Sequence, residues 1–239
     1  MIAAPPAVPA RVSLTAAPTH ITLDAGSRTT IRLEAAGSRR LVLHASVAGF
    51  RFDLRGRPRI VRANDAAPWL TLRPHALAVG SSGGALVVAS RRPALARPGD
   101  HSAIVLLTAV APSRRGMTVQ MRIGLVVTVR VKGRRVSRLA VVAAHSRRPG
   151  RGRGSLIDVR LANRGNVIET LAGTRLRVIL IRRGHVVARL RPGRRKVLPR
   201  TSALVAVRYR GRLRGPVTAR IELAQPGGRT ARRSFHLRL

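Results

Sequence analysis

Between Met117 and Val131 the chain places Ile123, Leu125, Val127, Val129 and Val131 at every second position, with Arg122, Thr128 and Arg130 between them. A period of two sends successive side chains to opposite faces of an extended backbone, so this stretch reads as a long strand with one face in a core. Nowhere in the sequence does an i, i+3, i+4, i+7 apolar stripe persist, which excludes helices as the main building element. The same alternation recurs along the chain. It appears in Arg11–Thr15, Thr29–Glu34, Leu41–Val47 and a separate strand carrying Phe50 and Phe52 on one face. It returns in Ile157-Asp158-Val159-Arg160-Leu161, in Arg175–Leu180, in Val205–Tyr209 and in Val217–Leu223, where Thr218, Arg220 and Glu222 take the polar face.

Turn chemistry separates these runs. Asp24-Ala25-Gly26-Ser27, Gly56-Arg57-Pro58, Pro98-Gly99, Asn163-Arg164-Gly165-Asn166 and Arg183-Gly184-His185 supply the Gly, Pro, Asn and Asp that tight turns need, the last a hairpin signal. Short strands at roughly 8–12-residue spacing between such turns are the pattern of a sandwich or barrel. The 239 residues suffice for two cores. The expected fold class is therefore all-β, with two tandem immunoglobulin-like β-sandwiches. A Pro-rich leader covers 1–10, the first sandwich 11–131, a polar linker Lys132-Gly133-Arg134-Arg135 covers 132–135, and the second sandwich runs over 136–239.

Composition limits the chemistry. There is no cysteine, which excludes a disulfide framework and a cysteine zinc site. Aromatic residues make up 2%, leaving little surface for stacking bases or sugars. Lys and Arg number 47 against 8 Asp and Glu, a formal net charge of +39. Only Lys132 and Lys196 are lysines, so the other 45 are arginines. A GC-rich genome accounts for arginine over lysine but not for the shortage of acids. A polyanionic partner and a purely compositional origin thus stand side by side. Sequence-independent binding to polyanions at low salt follows from the charge alone. No run approaches the ~20 apolar residues of a membrane-spanning helix. The small-residue, Pro-rich start resembles the end of an export signal, so the expected location is extracytoplasmic, in the cell envelope or secreted.

A family resemblance rests on Trp69-Leu70, Leu86-Val87-Val88 and Pro98-Gly99-Asp100-His101-Ser102-Ala103-Ile104-Val105. In the second half it rests on Val159–Asn166, Arg183–Val187, Val197–Ser202 and Gly215–Ala219. In these pieces the chain resembles the WxL-interacting proteins of bacterial surfaces and the wider group of pilus-chaperone-like immunoglobulin folds. The resemblance implies a non-enzymatic extracytoplasmic adaptor, with one domain toward peptidoglycan and the other toward a partner protein.

No catalytic constellation is legible. Asp100-His101-Ser102 suggests a triad, but consecutive strand residues face alternate sides and relay no proton in sequence. Gly150-Arg151-Gly152-Arg153-Gly154 lacks the spacing and following helix of a dinucleotide loop. As an anion-contact loop it offers Arg147, Arg148, Arg151 and Arg153. The seven histidines are scattered, none at metal-ligand spacing, and the single acids form no glycosidase pair. Neither a cofactor nor a metal is expected, and Trp69 is expected to pack in the core. The leading expectation is a non-catalytic cell-envelope binding or adaptor protein, holding anionic cell-wall polymer on its arginines and a partner surface protein through an exposed strand edge. The Met117–Val131 strand, or another edge, is the candidate for that pairing. A periplasmic chaperone-like protein for surface or pilus subunits is the second reading, and a basic nucleic-acid-associated protein the third.

Overall fold

The computed structural model describes residues 13–36, 40–62, 65–91, 93–112, 118–148, 154–172 and 175–239. Among these, nearly everything is strand, and the only helical pieces are two 3-10 turns, Ala67–Trp69 and Pro226–Gly228. The described residues up to Phe50, with Ile60–Arg97 and His101–Lys132, form one compact unit; Arg51–Arg59, Pro98–Asp100 and Gly133–Leu239 form the other.

The first ten strands are β1 (Ser13–Ala17), β2 (His20–Asp24), β3 (Arg28–Ala36), β4 (Leu41–Phe52), β5 (Pro58–Val61), β6 (Leu70–Arg73), β7 (Ala76–Val79), β8 (Gly84–Ser90), β9 (Gly99–Pro112) and β10 (Thr118–Val131). One sheet of the first unit runs β1-β3-β8-β6; the facing sheet runs β2-β10-β9-β4-β5, with β7 also pairing β4. Their inner faces carry the expected alternation. Ile31, Leu33, Leu72, Leu86 and Val88 from one sheet meet Leu43, Val105, Leu107, Leu125, Val127 and Val129 from the other in one dry cluster. With so few aromatics, aliphatic chains fill the space between the sheets, as close packing requires.

The remaining strands are β11 (Leu139–Arg147), β12 (Ser155–Asn163), β13 (Glu169–Leu171), β14 (Leu176–Arg182), β15 (His185–Leu190), β16 (Arg195–Val197), β17 (Ser202–Tyr209), β18 (Pro216–Ala224) and β19 (Thr230–Arg238). They form sheets β11-β12-β17 and β15-β14-β18-β19, with a small β13-β16 pair. Ile157, Val159 and Leu161 face Leu176, Val178, Leu180, Ala219, Ile221 and Leu223 across this second core. The β14–β15 hairpin turns through Arg183 (φ 49°) and Gly184 (φ 83°), the two left-handed residues of a type I′ turn. The all-β, two-sandwich expectation holds.

Several details differ from the sequence reading. Leu41–Val47 and the Phe50/Phe52 segment are one twelve-residue strand, β4, because Ala48-Gly49 continues the extended backbone without a break. Strand β2 was not anticipated; its Ile21 and Leu23 are buried, but five residues between two turns are a weak signal. Trp69 lies on the 3-10 turn ahead of β6 and is half-buried against the core, so it caps the first cluster rather than filling its centre. Thr128, expected on the polar face of β10, is 6% exposed and so buried. Arg151 and Arg153 lie outside the described residues.

One turn carries a pH signature. The Asp53 carboxylate accepts the backbone N–H groups of Arg55 and Arg57, each at 2.9 Å. The Arg57 N–H chiefly, with those of Arg55 and Gly56 and the nearby Arg59 charge, holds its carboxyl below the ordinary aspartate range, against desolvation, which opposes them. A carboxylate lowered in the folded state stabilises the fold above its unfolded pKa, and that contribution disappears as pH falls through the folded value. An NMR titration is therefore expected to show Asp53 ionising below an unstructured aspartate, with the Arg57 amide following the same curve. A midpoint at or above the unstructured value would refute the assignment.

Candidate functional site

In β10 the inner-facing residues pass from half-buried Met121 and Ile123 to fully buried Leu125, Val127 and Val129. The change coincides with a change of neighbours. Strand β2 lies parallel to β10 only from Val126 to Arg130, pairing Val126 with His20 and Arg130 with Asp24. Over Thr118–Leu125, β10 has β9 on one side and, among the described residues, no strand on the other.

The direction of the backbone groups follows from the covered half. Val126 donates its N–H to the Thr19 carbonyl at 3.1 Å, and the Arg130 carbonyl accepts from Ala25 at 2.9 Å. In a strand the N–H and C=O of one residue point the same way and alternate along the chain. Even-numbered residues thus address the β2 side, and ahead of Val126 the groups aimed at the open side belong to Gln120, Arg122 and Gly124. The Gln120 and Arg122 side chains are exposed on the outer face, while Met121 and Ile123 pack against the edge of the first core. A row of unpaired backbone groups above a half-covered apolar margin is a template for one more strand. Arg122 places a charge on the outer face, a device that discourages indiscriminate edge pairing.

Among the described residues the Asp100-His101-Ser102 run does not assemble into a relay. Asp100, His101 and Ser102 have separate partners. The Asp100 carboxylate accepts the Ile168 N–H at 2.8 Å, and its own N–H donates to the Asn166 carbonyl at 2.8 Å. His101 instead faces Asp65, with Nδ1 2.5 Å from Oδ1 and Nε2 2.8 Å from the Arg97 carbonyl. The second Asp65 oxygen accepts the Ser102 backbone N–H at 2.8 Å. The Ser102 hydroxyl is buried and, among the described residues, no side chain takes a hydrogen bond from it. The His101 ring lies 4.7 Å from that of Trp69, completing a clasp over the β6 end of the core. Asp65 holds this position with φ 53°, a conformation aspartate tolerates better than most residues. Sequence reasoning missed Asp65 because it stands 36 residues before His101, with no local pattern linking the two.

Of the arginines expected at the anion loop, Arg147 is engaged: its Nε lies 2.6 Å from Asp158 Oδ2, with the carboxylate side chain 10% exposed. Arg148 is exposed. Among the described residues no group of three or more His, Asp or Glu side chains is placed to hold a metal ion. No helix there is long and apolar enough to cross a membrane.

No protein-family model matches the sequence. No curated protein matches it either. Solved structures do. The class 5 fimbriae chaperone CfaA superposes with a TM-score of 0.53 at 10% identity, covering 93% of this chain and 98% of that one. The YadV chaperone gives 0.51 at 12% identity, over 95% and 99%. The CsuC–CsuE chaperone–tip adhesion subunit pre-assembly complex, from archaic chaperone-usher Csu pili of Acinetobacter baumannii, gives 0.50 at 13% identity, over 94% and 98%. The fold is that of the pilus chaperones, two immunoglobulin-like sandwiches. The likeness spans nearly the whole of each chain, so it includes both sandwiches. The narrower resemblance to WxL-interacting proteins finds no support among these structures.

Proposed function

We propose that this protein is a non-catalytic, extracytoplasmic chaperone-like binding module that takes up a strand of a surface-protein subunit along the open half of β10. The observation that carries the reading is the incomplete cover of β10: β2 stops at Val126, and the edge beyond presents three backbone N–H and C=O pairs beside Met121 and Ile123. A partner strand laid there gains main-chain hydrogen bonds. Its alternate apolar residues cover the half-exposed margin of the core, so affinity comes from backbone and selectivity from alternate side chains. Support also comes from the neighbours of the same fold, whose descriptions name them as fimbrial or pilus chaperones, one captured with a tip adhesion subunit. This favours the chaperone reading over the wall-polymer adaptor as the main function.

The test exploits backbone direction. The Arg122 N–H points to the open side, so Arg122→Pro removes a donor for the partner without removing a bond to β9, and edge strands tolerate such a proline. Candidate strands, drawn as peptides of alternating apolar residues from neighbouring surface-subunit sequences, are titrated by calorimetry. Binding should protect the amides of Gln120, Arg122 and Gly124 from hydrogen exchange. The proline variant should bind roughly ten- to a hundredfold more weakly, the cost of leaving a buried acceptor unpaired, with its unfolding transition unchanged. Protection confined to other strands would remove the proposal.

A further inference from the structure

The four-stranded sheet of the second unit has an outer face whose composition no core requirement explains. Cross-strand register aligns Arg177 on β14, Glu222 on β18 and Arg232 on β19 in one row. The next row contains Arg189 on β15, Ile179, Arg220 and Ser234. Directly opposed residues point to the same face, so these two rows bring four guanidiniums and a single carboxylate, Glu222, to one face, a surplus of three positive charges.

That carboxylate is shared rather than claimed. Glu222 lies 3.5 Å from Arg232 Nε, 3.8 Å from Arg177 Nη1 and 3.9 Å from Arg220 Nε, all longer than a charge-assisted hydrogen bond. The glutamate side chain is 17% exposed, while Arg177, Arg220 and Arg232 are 43%, 40% and 69% exposed. The Arg220 Nε is buried and, among the described residues, has no hydrogen-bond partner. Between the arginines, Ile179 is 4% exposed although it belongs to the face away from the core cluster. Its direct cross-strand neighbours are Arg189 and Arg220, and long stems of this kind cover apolar surface while their heads reach water. One glutamate therefore holds the cluster together without using up its donors.

We propose that this face, formed by Arg177, Arg189, Arg220 and Arg232, binds an extended chain of phosphate groups. Three strand spacings of about 4.8 Å across and a two-residue offset of about 7 Å along the strands place Arg189 and Arg232 about 16 Å apart, farther than one phosphate reaches and suited to successive phosphates of a linear polymer. Guanidinium forks match phosphate oxygens in pairs. None of the chain's Phe, Tyr or Trp residues lies on these rows, Phe235 pairing with Ala219 on the opposite face. Recognition is therefore of the phosphates and not of stacked bases. The site is independent of the β10 edge and would stand if that reading failed.

The net charge of +39 makes some polyanion binding inevitable, so the test separates a site from a general field. Long-chain inorganic polyphosphate is titrated into the full chain at moderate salt, beside orthophosphate and an oligothymidylate of equal charge. A triple variant, Arg177→Gln with Arg220→Gln and Arg232→Gln, is compared with a control of equal charge change, Arg208→Gln with Arg210→Gln and Arg212→Gln. The face variant should lose roughly tenfold or more affinity beyond the control, and flatten the slope of log K against log salt by about 2, as expected for three lost phosphate contacts. Glu222→Gln should bind more tightly than the parent, a gain that a misfolded variant does not give. Equal losses in both triple variants, or no gain with Glu222→Gln, would overturn the proposal. So would orthophosphate binding as tightly as the polymer, or the oligothymidylate binding more than tenfold tighter than polyphosphate.

Discussion

Replacing Glu169 by alanine is expected to destabilise the second unit by about 3–5 kcal/mol, the range for removing one partner of a buried ion pair. The Glu169 side chain is 4% exposed, and Arg175 Nη1 lies 2.6 Å from its Oε2. The other carboxylate oxygen accepts the Ser137 hydroxyl. The glutamate thus ties the segment ahead of β11 to the entrance of β14, and its removal leaves the Ser137 hydroxyl stranded and the partly buried Arg175 guanidinium with the long 3.5 Å contact of its Nη1 to the Thr170 carbonyl. Much of the cost comes from those two groups rather than from any large intrinsic worth of the pair. Glu169→Gln keeps the volume and an acceptor for Ser137, so it should cost clearly less. Native-state hydrogen exchange of β12 and β18 amides gives the measurement, since a chain of two units need not unfold in a single step. A loss below about 1 kcal/mol for the alanine variant would mean that Arg175 and Ser137 find water at no cost.

In the first unit the largest effect belongs to Leu107→Ala. Leu107 is 0% exposed and sits on β9, opposite Ala45 on β4 and within the cluster that joins the two sheets. Strand β9 is flanked by β10 and β4, so neither side opens to solvent when the side chain shrinks, and the cavity cannot easily collapse. Large-to-small changes at such sites cost about 2–5 kcal/mol, rising with the void left behind. Trp69 is the only tryptophan and packs against this same cluster, so its fluorescence during urea unfolding reports the first unit specifically. The control is Leu95→Ala: that leucine is 96% exposed and its loss should shift the transition by no more than about 0.5 kcal/mol. Equal shifts for the two variants would contradict the packing described.

The open half of β10 shows how far alternation carries an argument and where it stops. Ile123, Leu125, Val127, Val129 and Val131 were legible as one face because a strand's period is two whatever it pairs with. That Val126–Arg130 is covered while Thr118–Leu125 has no such neighbour among the described residues depends on β2, about a hundred residues earlier in the chain. Nothing local in either segment encodes that parallel pairing, and β2 itself is too short to stand out. The expectation that the Met117–Val131 strand, or another edge, takes a partner strand is narrowed by the fold to Thr118–Leu125, which among the described residues has no strand on the β2 side. The arginine rows behave alike. Arg177, and Arg220 with Glu222, were readable as outward positions of their strands, but their convergence around one carboxylate needs the register of three strands. The loop arginines that looked most suggestive in sequence did so because Gly and Arg cluster there, and clustering along the chain says nothing about which donors are already engaged, as Arg147 is with Asp158.

Short-range physics accounts for what could be read in advance. The two-residue period, the positive-φ turn at Arg183-Gly184 and the aliphatic character of the cores are set by neighbours a few residues apart, and they sufficed for an all-β chain with two sandwiches. Long-range pairing supplied the rest: which strands end at an edge, which acids meet which arginines, and how Asp65 rather than Asp100 comes to hold His101. Those contacts are specified by the summed packing of whole sheets, a sum that no window of sequence contains.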